Sequence, residues 1–335
     1  MNIVFDMKRT CIIAEAGVNH NGSLETAMRL VDAAAEAGAD IVKFQTFKAE
    51  AIVSKDAEMA EYQKANIGRT EGQYEMLKRL ELSPSDHEVL MERCKEKNIL
   101  FFSTAFDVEG VRYLNKLGLP FMKVPSGELT NLPYLREINR CGKPVFLSTG
   151  MSTMQEVAEA VEVLDRCEVT LLHCTTEYPC PVDAVNLNAM LTMKERFDLP
   201  VGYSDHTQGL IVPVAAVSLG ACVIEKHFTL DRSMEGPDHR ASLEPSELKE
   251  MVDAIRKVEA AFGSGVKEPS EAEKKNIVIA RKSIVAKTFI AKGDRFSEDN
   301  LTVKRPGNGI SPMFWDSVVG RTAGHDYRPD EKIEL

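Results

Sequence analysis

Long apolar runs are missing from this sequence. It has no uninterrupted apolar stretch of about 18 residues, the length that a membrane-spanning helix needs. Its first ten residues, MNIVFDMKRT, lack the apolar core of a secretory signal peptide. We therefore expect a cytoplasmic protein with no membrane partner.

Closely paired cysteines are also missing from this sequence. The seven cysteines are an odd number, lie scattered along the chain and form no C-x-x-C pair. A disulfide framework and a zinc ribbon both require paired cysteines at characteristic spacings. We expect reduced thiols that serve mainly in packing.

The sequence also has fewer positively charged than negatively charged residues. Lys and Arg number 41 against 51 for Asp and Glu, which gives a formal net charge of −10, and no basic run exceeds two residues. Because nucleic acids and anionic membranes bind basic patches, neither is an expected partner. Anionic substrates are still allowed, since a site can be locally cationic on an acidic protein.

A regular alternation of strand-like and helix-like segments is present instead. The chain of 335 residues contains eight apolar strand-like segments, each followed by a helical pattern. The predicted strands are residues 11–16, 41–46, 99–104, 121–125, 144–148, 169–174, 201–204 and 222–226. Eight such units predict an α/β fold of the TIM (β/α)8 barrel type, because a doubly wound sheet usually has fewer strands.

The alternation stops near residue 263, and the composition then changes. We assign residues 1–263 to the barrel, residues 264–280 to a charged linker and residues 281–335 to a small β-rich module with many turns. A polar, helix-prone insertion at residues 48–79 follows the second strand and is long enough to fold over the barrel mouth.

Two histidines stand out in residues 201–231. This stretch contains two short apolar strands separated by an apolar segment of helix length, and His206 and His227 lie at or just after the strand ends. A right-handed crossover would bring both ends to one edge of the sheet, where two imidazoles can share a divalent metal. A structural, hydrogen-bonded role is the usual alternative for each histidine alone. His239, in a later loop, is either a third ligand or a solvated residue.

Two lysines, Lys43 and Lys123, lie inside otherwise apolar strands. A buried ammonium group is costly unless an anion faces it, and several strand ends supply hydroxyl groups and glycines of the kind that bind phosphate. We therefore expect a phosphate or carboxylate site, with an internal salt-bridge network as the alternative. Glu15 and Glu128 could act as general acid or base, or could pair with these lysines.

Nine segments of the chain, in this order, closely resemble the bacterial sialic acid synthases. They read IIAEAGVNHNGSLETA, VKFQTFKAE, KVPSGELTNLPYL, LSTGM, LLHCTTEYP, VGYSDHT, IEKHFTLD, GPDHRASLEP and VKRPGNGISP. Members of that family condense phosphoenolpyruvate with an N-acetylated amino sugar to give a nine-carbon 2-keto acid. The C-terminal module resembles the antifreeze-like (SAF) domain of those enzymes.

The resemblance also implies a set of site residues. Glu15 and Glu128 would lie at the reacting centre as catalytic residues, and His206 and His227 would bind a divalent metal, Mn²⁺ or Mg²⁺. Substrate contacts would come from Lys43, Gln45, Asn66, Lys123, Ser126, Ser148, Thr176, Tyr178, Ser204, Asp238 and Arg305. Thr176 stands where the family often has asparagine. Arg305 would reach the sugar bound to the other subunit of a domain-swapped homodimer.

On this resemblance we predict an N-acetylneuraminate (sialic acid) synthase. It would join phosphoenolpyruvate to N-acetylmannosamine by metal-assisted C–C bond formation, with C–O cleavage and phosphate release, and Glu15 would orient the attacking water or receive its proton. One alternative is an N,N'-diacetyllegionaminate synthase, which takes 2,4-diacetamido-2,4,6-trideoxymannose. Another is an aldolase that forms a Schiff base through Lys123.

Overall fold

The computed structural model describes residues 9–59 and 72–335. It divides into two compact units, one ending at Phe262 and the other running from Gly263 to Leu335. Asn66, one of the predicted sugar-binding residues, lies outside the described residues. Within the described residues, no helix combines the length and the apolar character that crossing a membrane requires.

Eight parallel strands form the first unit. Their order in the sheet is β3-β2-β1-β8-β7-β6-β5-β4, and β3 contacts β4, so the sheet closes into a barrel. The strands are β1 Cys11–Gly17, β2 Ile41–Thr46, β3 Leu100–Ala105, β4 Met122–Val124, β5 Val145–Ser148, β6 Val169–Cys174, β7 Val201–Asp205 and β8 Val223–His227. The TIM barrel predicted from the sequence is confirmed.

Side chains hold the seam where β3 meets β4. Phe102 packs edge-on against Phe121, with 5.8 Å between the ring centroids. The hydroxyl of the buried Tyr134 lies 2.8 Å from the carbonyl oxygen of Ala105 and 3.0 Å from that of Lys123, and its proton is shared between them. Tyr134 therefore joins the two strands close to their C-terminal ends.

Helices alternate with the barrel strands, and local sequence explains their bounds. The Ser23 side chain caps helix Leu24–Ala37, which ends at Gly38 in the left-handed conformation (φ 83°). Ser83 and Asp86 form a capping box at the start of helix Pro84–Glu96. The other α-helices within the described residues of this unit are Ala49–Ile52, Gln73–Arg79, Val108–Lys116, Leu132–Cys141, Met154–Val163, Asn188–Phe197, Ile211–Ser218 and Pro245–Ala261.

The main core lies between the strands and these helices. Every residue of β1 is buried, because one face of a barrel strand meets the interior and the other meets the helices. Helix Leu24–Ala37 contributes Ala27, Leu30 and Val31, whose spacing places them on one face.

A smaller apolar cluster lies beside the mouth of the barrel, and we call it the mouth cluster. Its helices, Ala49–Ile52 and Gln73–Arg79, belong to the segment that follows β2, so they lie at the C-terminal end of the barrel. The buried members of the mouth cluster are Val18, Phe47, Met59, Met76 and Leu80, with Ile52, Leu77 and Phe106 packed against them. The described part of the predicted insertion thus contains helices, and its apolar side chains share a small core with Val18, Phe47, Leu80 and Phe106.

The second unit has its own small sheet and core. Strands β9 Ser283–Ala286 and β10 Leu301–Lys304 pair antiparallel, and short helix Trp315–Val318 follows. Its buried core includes Ile284, Phe296, Val318 and Tyr327. The segment predicted as a linker contains helix Glu271–Ala280, which begins with a capping box between Ser270 and Glu273.

Candidate active site

A cavity of about 370 Å³ opens at the C-terminal ends of the barrel strands. It collects every predicted site residue of the barrel that the structure describes. These residues are Glu15, Lys43, Gln45, Lys123, Ser126, Glu128, Ser148, Thr176, Tyr178, Ser204, His206, His227 and Asp238. Arg305 belongs to the second unit, where it is exposed and its Nε donates to the carbonyl oxygen of Ala280 at 3.0 Å. Its predicted contact with a sugar in another subunit stays a prediction.

Strand register explains why residues distant in sequence meet here. Glu15 of β1 pairs in register with Lys43 of β2 on one side and with His227 of β8 on the other. Because alternate residues of a strand point to the same face, Gln45 follows Lys43 toward the cavity. Its amide nitrogen donates to Glu15 Oε1 at 3.1 Å.

Lys43 is buried and meets two carboxylates. Its ammonium nitrogen lies 2.9 Å from Glu15 Oε2 and 3.5 Å from Glu225 Oε2, and it donates to Thr104 Oγ1 at 2.9 Å. Burial lowers the pKa of Lys43, but the two carboxylates outweigh burial and raise it above its ordinary value. Lys43 is therefore a cation at neutral pH.

Lys123 is also buried but is paired more weakly. Its ammonium nitrogen donates to Ser148 Oγ at 2.5 Å and lies 3.9 Å from Glu225 Oε1. Burial is the largest influence and lowers its pKa, although Glu225 opposes this effect. Lys123 thus has greater need of a further anion than Lys43.

Glu225, which sequence reasoning did not select, lies between the two lysines. Its carboxylate also accepts a hydrogen bond from Ser204 Oγ at 3.0 Å. Burial would raise its pKa, but Lys123 and Lys43 lower it to about 2, so Glu225 is ionised. Strand periodicity could have found this residue, since it lies two positions before His227 and therefore on the same face.

Glu15 is the carboxyl group suited to exchange a proton near neutral pH. Burial raises its pKa to about 7, against the opposing effect of Lys43 and with a further rise from Glu225. A base with a pKa near the working pH is the most effective proton acceptor. The structure contains the internal salt-bridge network that the sequence left as an alternative, and the phosphate or carboxylate site stays a prediction.

A cluster of small polar groups lies beside Lys123. Ser126 Oγ accepts a hydrogen bond from the backbone nitrogen of Gly150 at 3.1 Å and lies 3.0 Å from Cys174 Sγ. Thr176 Oγ1 is buried without a hydrogen-bond partner. A Cβ atom at Gly150 would come within 2.4 Å of Thr176 Oγ1 and 2.7 Å of Ser126 Oγ, so only glycine fits. Hydroxyl groups and an accessible backbone beside an ammonium group suit a phosphate.

The two predicted metal ligands lie close together at the ends of the adjacent strands β7 and β8. Their ring centroids are 5.6 Å apart, and His206 Nδ1 donates to the carbonyl oxygen of Thr175 at 2.6 Å, which leaves Nε2 unprotonated. His227 Nδ1 is buried without a hydrogen bond and lies 3.9 Å from Asp238 Oδ2. Burial lowers the pKa of His206 to about 4 and that of His227 well below its ordinary value, so both rings are neutral, as metal ligands must be.

These donors fit a divalent ion that keeps part of its water shell. Among the described residues, no group of three or more His, Cys, Asp and Glu side chains is arranged to hold a metal. An ion held by His206 and His227 would therefore complete its coordination with water or substrate oxygens, as Mg²⁺ commonly does. The suggestion that His239 is a third ligand or a solvated residue is wrong. Its ring is fully buried and its nitrogens lie 2.6 Å from Thr229 Oγ1 and 3.2 Å from Asn21 Oδ1.

A second buried ion pair supports the strands that carry the histidines. Asp205 and Lys226 are fully buried, and Lys226 Nζ lies 2.5 Å from Asp205 Oδ2. Asp205 Oδ1 also accepts from the Tyr203 hydroxyl and the Thr207 backbone nitrogen, each at 3.0 Å. The pair ties the end of β7 to the end of β8, next to His206 and His227.

The remaining predicted residues, Glu128, Tyr178 and Asp238, also line the cavity. Glu128 is half-buried, accepts from Asn131 Nδ2 at 2.6 Å, and has its pKa raised by burial. Burial also raises the pKa of Asp238 to about 6. The ring of Tyr178 lies 4.1 Å from that of His206, measured between centroids.

Comparison with known proteins places this site in a family. The model of the NeuB family matches residues 30–267, and the SAF domain model matches residues 281–333. The chain belongs to the NeuB family. NeuB membership agrees with the resemblance to sialic acid synthases, and the SAF match confirms the identity predicted for the C-terminal module.

Similar proteins refine the comparison. The chain is 54% identical to the N,N'-diacetyllegionaminic acid synthase of Campylobacter jejuni over 332 residues, covering 98% of this chain and 99% of the relative. It is 49% identical to the Legionella pneumophila protein of the same name, covering 93% and 90%. Its structure resembles that of the Leptospira borgpetersenii N-acetylneuraminic acid synthetase with a TM-score of 0.71 and 35% identity, covering 80% of this chain and 90% of the other.

Proposed function

We propose that this NeuB family enzyme condenses phosphoenolpyruvate with 2,4-diacetamido-2,4,6-trideoxymannose to form N,N'-diacetyllegionaminic acid and phosphate. The observation that carries this choice is the 54% identity, over nearly the whole of both chains, to the C. jejuni protein of that name. Identity to the Leptospira sialic acid synthetase is 35%. The legionaminate alternative therefore takes precedence over the N-acetylneuraminate synthase that the sequence resemblance suggested first.

The cationic end of the cavity supports phosphoenolpyruvate as the first substrate. Lys43 and Lys123 are two buried cations within one cavity, and Lys123 is only loosely paired at 3.9 Å from Glu225. Ser126, Ser148 and Thr176 place hydroxyl groups around it. A small molecule with a carboxylate and a phosphate would bring Lys123 the anion it lacks and satisfy these donors.

In the proposed reaction, the lysines and hydroxyl groups hold phosphoenolpyruvate, and Glu15 accepts a proton. C3 of phosphoenolpyruvate forms a bond to the aldehyde carbon of the open-chain sugar, whose oxygen takes up a proton and becomes a hydroxyl group, and water adds at C2. The lysines and hydroxyl groups hold the anion in attack geometry until the C2–O bond breaks and phosphate leaves. Glu15, whose pKa is raised to about 7, receives a proton from the attacking water in this proposal.

His206 and His227 would hold the divalent ion, Mn²⁺ or Mg²⁺. A bound cation supplies Lewis-acid polarisation of the aldehyde oxygen. Nδ1 of His206 is fixed by the carbonyl of Thr175. The chain therefore presents one imidazole in a set tautomer and orientation before the ion arrives.

A phosphate-release assay tests the proposal. The purified protein is given phosphoenolpyruvate, Mn²⁺ or Mg²⁺, and one of three acceptors: the diacetamido trideoxy sugar, N-acetylmannosamine or its 6-phosphate. We expect phosphate release to be fastest with the first acceptor and to stop with chelator. A clear preference for either of the other two would refute the legionaminate assignment.

The Schiff-base alternative has one observation in its favour. Burial lowers the pKa of Lys123, and a lysine nucleophile must be deprotonated. Trapping with borohydride and pyruvate distinguishes the two chemistries by mass spectrometry. The condensing mechanism predicts no adduct, whereas an aldolase would be labelled at Lys123.

A further inference from the structure

One wall of the cavity is apolar, in contrast to its ionic floor. Ile52 and Leu77 line this wall, together with Met76, Leu80 and Phe106. All five belong to the mouth cluster or pack against it. These five side chains carry no atom that donates or accepts a conventional hydrogen bond, and Gln73, at the start of the same helix as Leu77, is the neighbouring polar side chain in the described lining.

The described lining of the cavity also offers no spare cation for a second phosphate. Among the described residues that line it, the lysines and arginines are Lys43 and Lys123 alone. Both face carboxylates, Lys43 at 2.9 Å from Glu15 and Lys123 at 3.9 Å from Glu225. Phosphoenolpyruvate would occupy both lysines in the proposed reaction, so a phosphorylated sugar would find no partner on this part of the chain.

The reaction fixes which end of the acceptor meets the wall. The aldehyde carbon, C1, must lie against phosphoenolpyruvate at the ionic floor, because the new bond forms there. The sugar chain then carries C6 away from the floor toward the mouth. Helices Ala49–Ile52 and Gln73–Arg79, which supply Ile52 and Leu77, follow the C-terminal end of β2 at this mouth.

We propose that the apolar wall, through Ile52 and Leu77, selects acceptors whose C6 is a methyl group over those whose C6 bears a hydroxyl or phosphate. A methyl group gains contact with Ile52 and Leu77, whereas a hydroxyl packed against these two side chains loses its water and receives no hydrogen bond from them. This inference rests on the proposed function and adds the residues that set its specificity.

Two acceptors that differ only at C6 test the wall. These are 2,4-diacetamido-2,4,6-trideoxymannose and 2,4-diacetamido-2,4-dideoxymannose, and the measured quantity is the ratio of their kcat/KM values. We expect a ratio of roughly tenfold or more in favour of the methyl sugar, the size typical of one buried group. In Leu77→Gln, whose amide can pair with the hydroxyl, the ratio should fall toward one.

Leu191→Gln is the matched control. Leu191 lies on helix Asn188–Phe197, is 42% exposed and does not line the cavity, so the same chemical change there should leave the ratio as in the wild type. Ile52→Thr, which keeps the branched shape, repeats the test if Leu77→Gln fails to fold by circular dichroism.

The outcomes separate the two proposals. If the ratio of kcat/KM values is near one in the wild type, the proposal about the wall is wrong. It is also wrong if Leu77→Gln and Ile52→Thr still release phosphate with an unchanged ratio. Neither result contradicts the proposed function. Absence of phosphate release with every acceptor overturns the proposed function itself.

Discussion

Gly150 lies at the end of the cavity where we propose that phosphate binds. A methyl group there would collide with Thr176 Oγ1 and Ser126 Oγ. We predict that Gly150→Ala raises KM for phosphoenolpyruvate by roughly 10- to 100-fold, since a displacement of about 1 Å can cost that much. Gly324→Ala is the control, because its Cβ would meet open space in the second unit. Steady-state kinetics with an unchanged KM would contradict the phosphate assignment.

Glu225 is the shared counter-ion of the two lysines, and its removal tests their role. Glu225→Gln leaves Lys123 without its carboxylate, and breaking a buried pair costs about 3–5 kcal/mol. We expect a lower Tm without ligand and a larger rise in Tm on adding phosphoenolpyruvate than in the wild type, because the ligand supplies the missing anion. Thermal unfolding with and without ligand measures both effects. Glu36→Gln, at an exposed position, is the control. If phosphoenolpyruvate raises the Tm of Glu225→Gln and of the wild type equally, this result would count against anion binding at the lysines.

Some residues of the site could be predicted from the sequence and others could not. Lys43 and Lys123 were recognisable because a charged residue inside an apolar strand needs an explanation. The pairing of Glu225 with both lysines could not be predicted from the sequence, because it depends on how β8 faces β2 and β4 across the barrel. The Asp205–Lys226 pair depends likewise on the register between β7 and β8.

At the scale of elements, the Tyr134 hydroxyl group helps to hold the barrel seam. We predict that Tyr134→Phe lowers the free energy of unfolding by about 1–2 kcal/mol, because the carbonyls of Ala105 and Lys123 both lose their donor. Tyr113→Phe is the matched control, since the Tyr113 hydroxyl is buried without a hydrogen bond. Urea denaturation compares the two variants, and equal stability would show that the Tyr134 hydroxyl does not hold the seam.

Strand positions were predictable, but strand ends were less so. Residues 41–46 and 169–174 form strands with the predicted bounds. The last barrel strand was predicted at 222–226, whereas β8 runs from Val223 to His227. The difference arises because His227 is held in the sheet by pairing with Glu15, a contact between residues far apart in sequence.

At the scale of the whole molecule, the homodimer with Arg305 acting in the other subunit stays a prediction that mixing can test. Glu15→Gln and Arg305→Ala chains, each expected to be poorly active alone, are unfolded together and refolded as mixed dimers. If Arg305 acts between subunits, half of the dimers gain one complete site, which restores about a quarter of wild-type activity. No gain over the separate variants would show that Arg305 does not complete the site of another subunit.

The fate of the bridging oxygen of phosphoenolpyruvate tests the central claim most directly. Phosphoenolpyruvate labelled with ¹⁸O between C2 and phosphorus is incubated with the protein, a divalent metal and the diacetamido trideoxy sugar. The masses of the products are then measured by mass spectrometry. Attack of water at C2 followed by C–O cleavage predicts labelled phosphate and unlabelled N,N'-diacetyllegionaminic acid. Label retained in the keto acid, or pyruvate formed in place of the nine-carbon product, would contradict it.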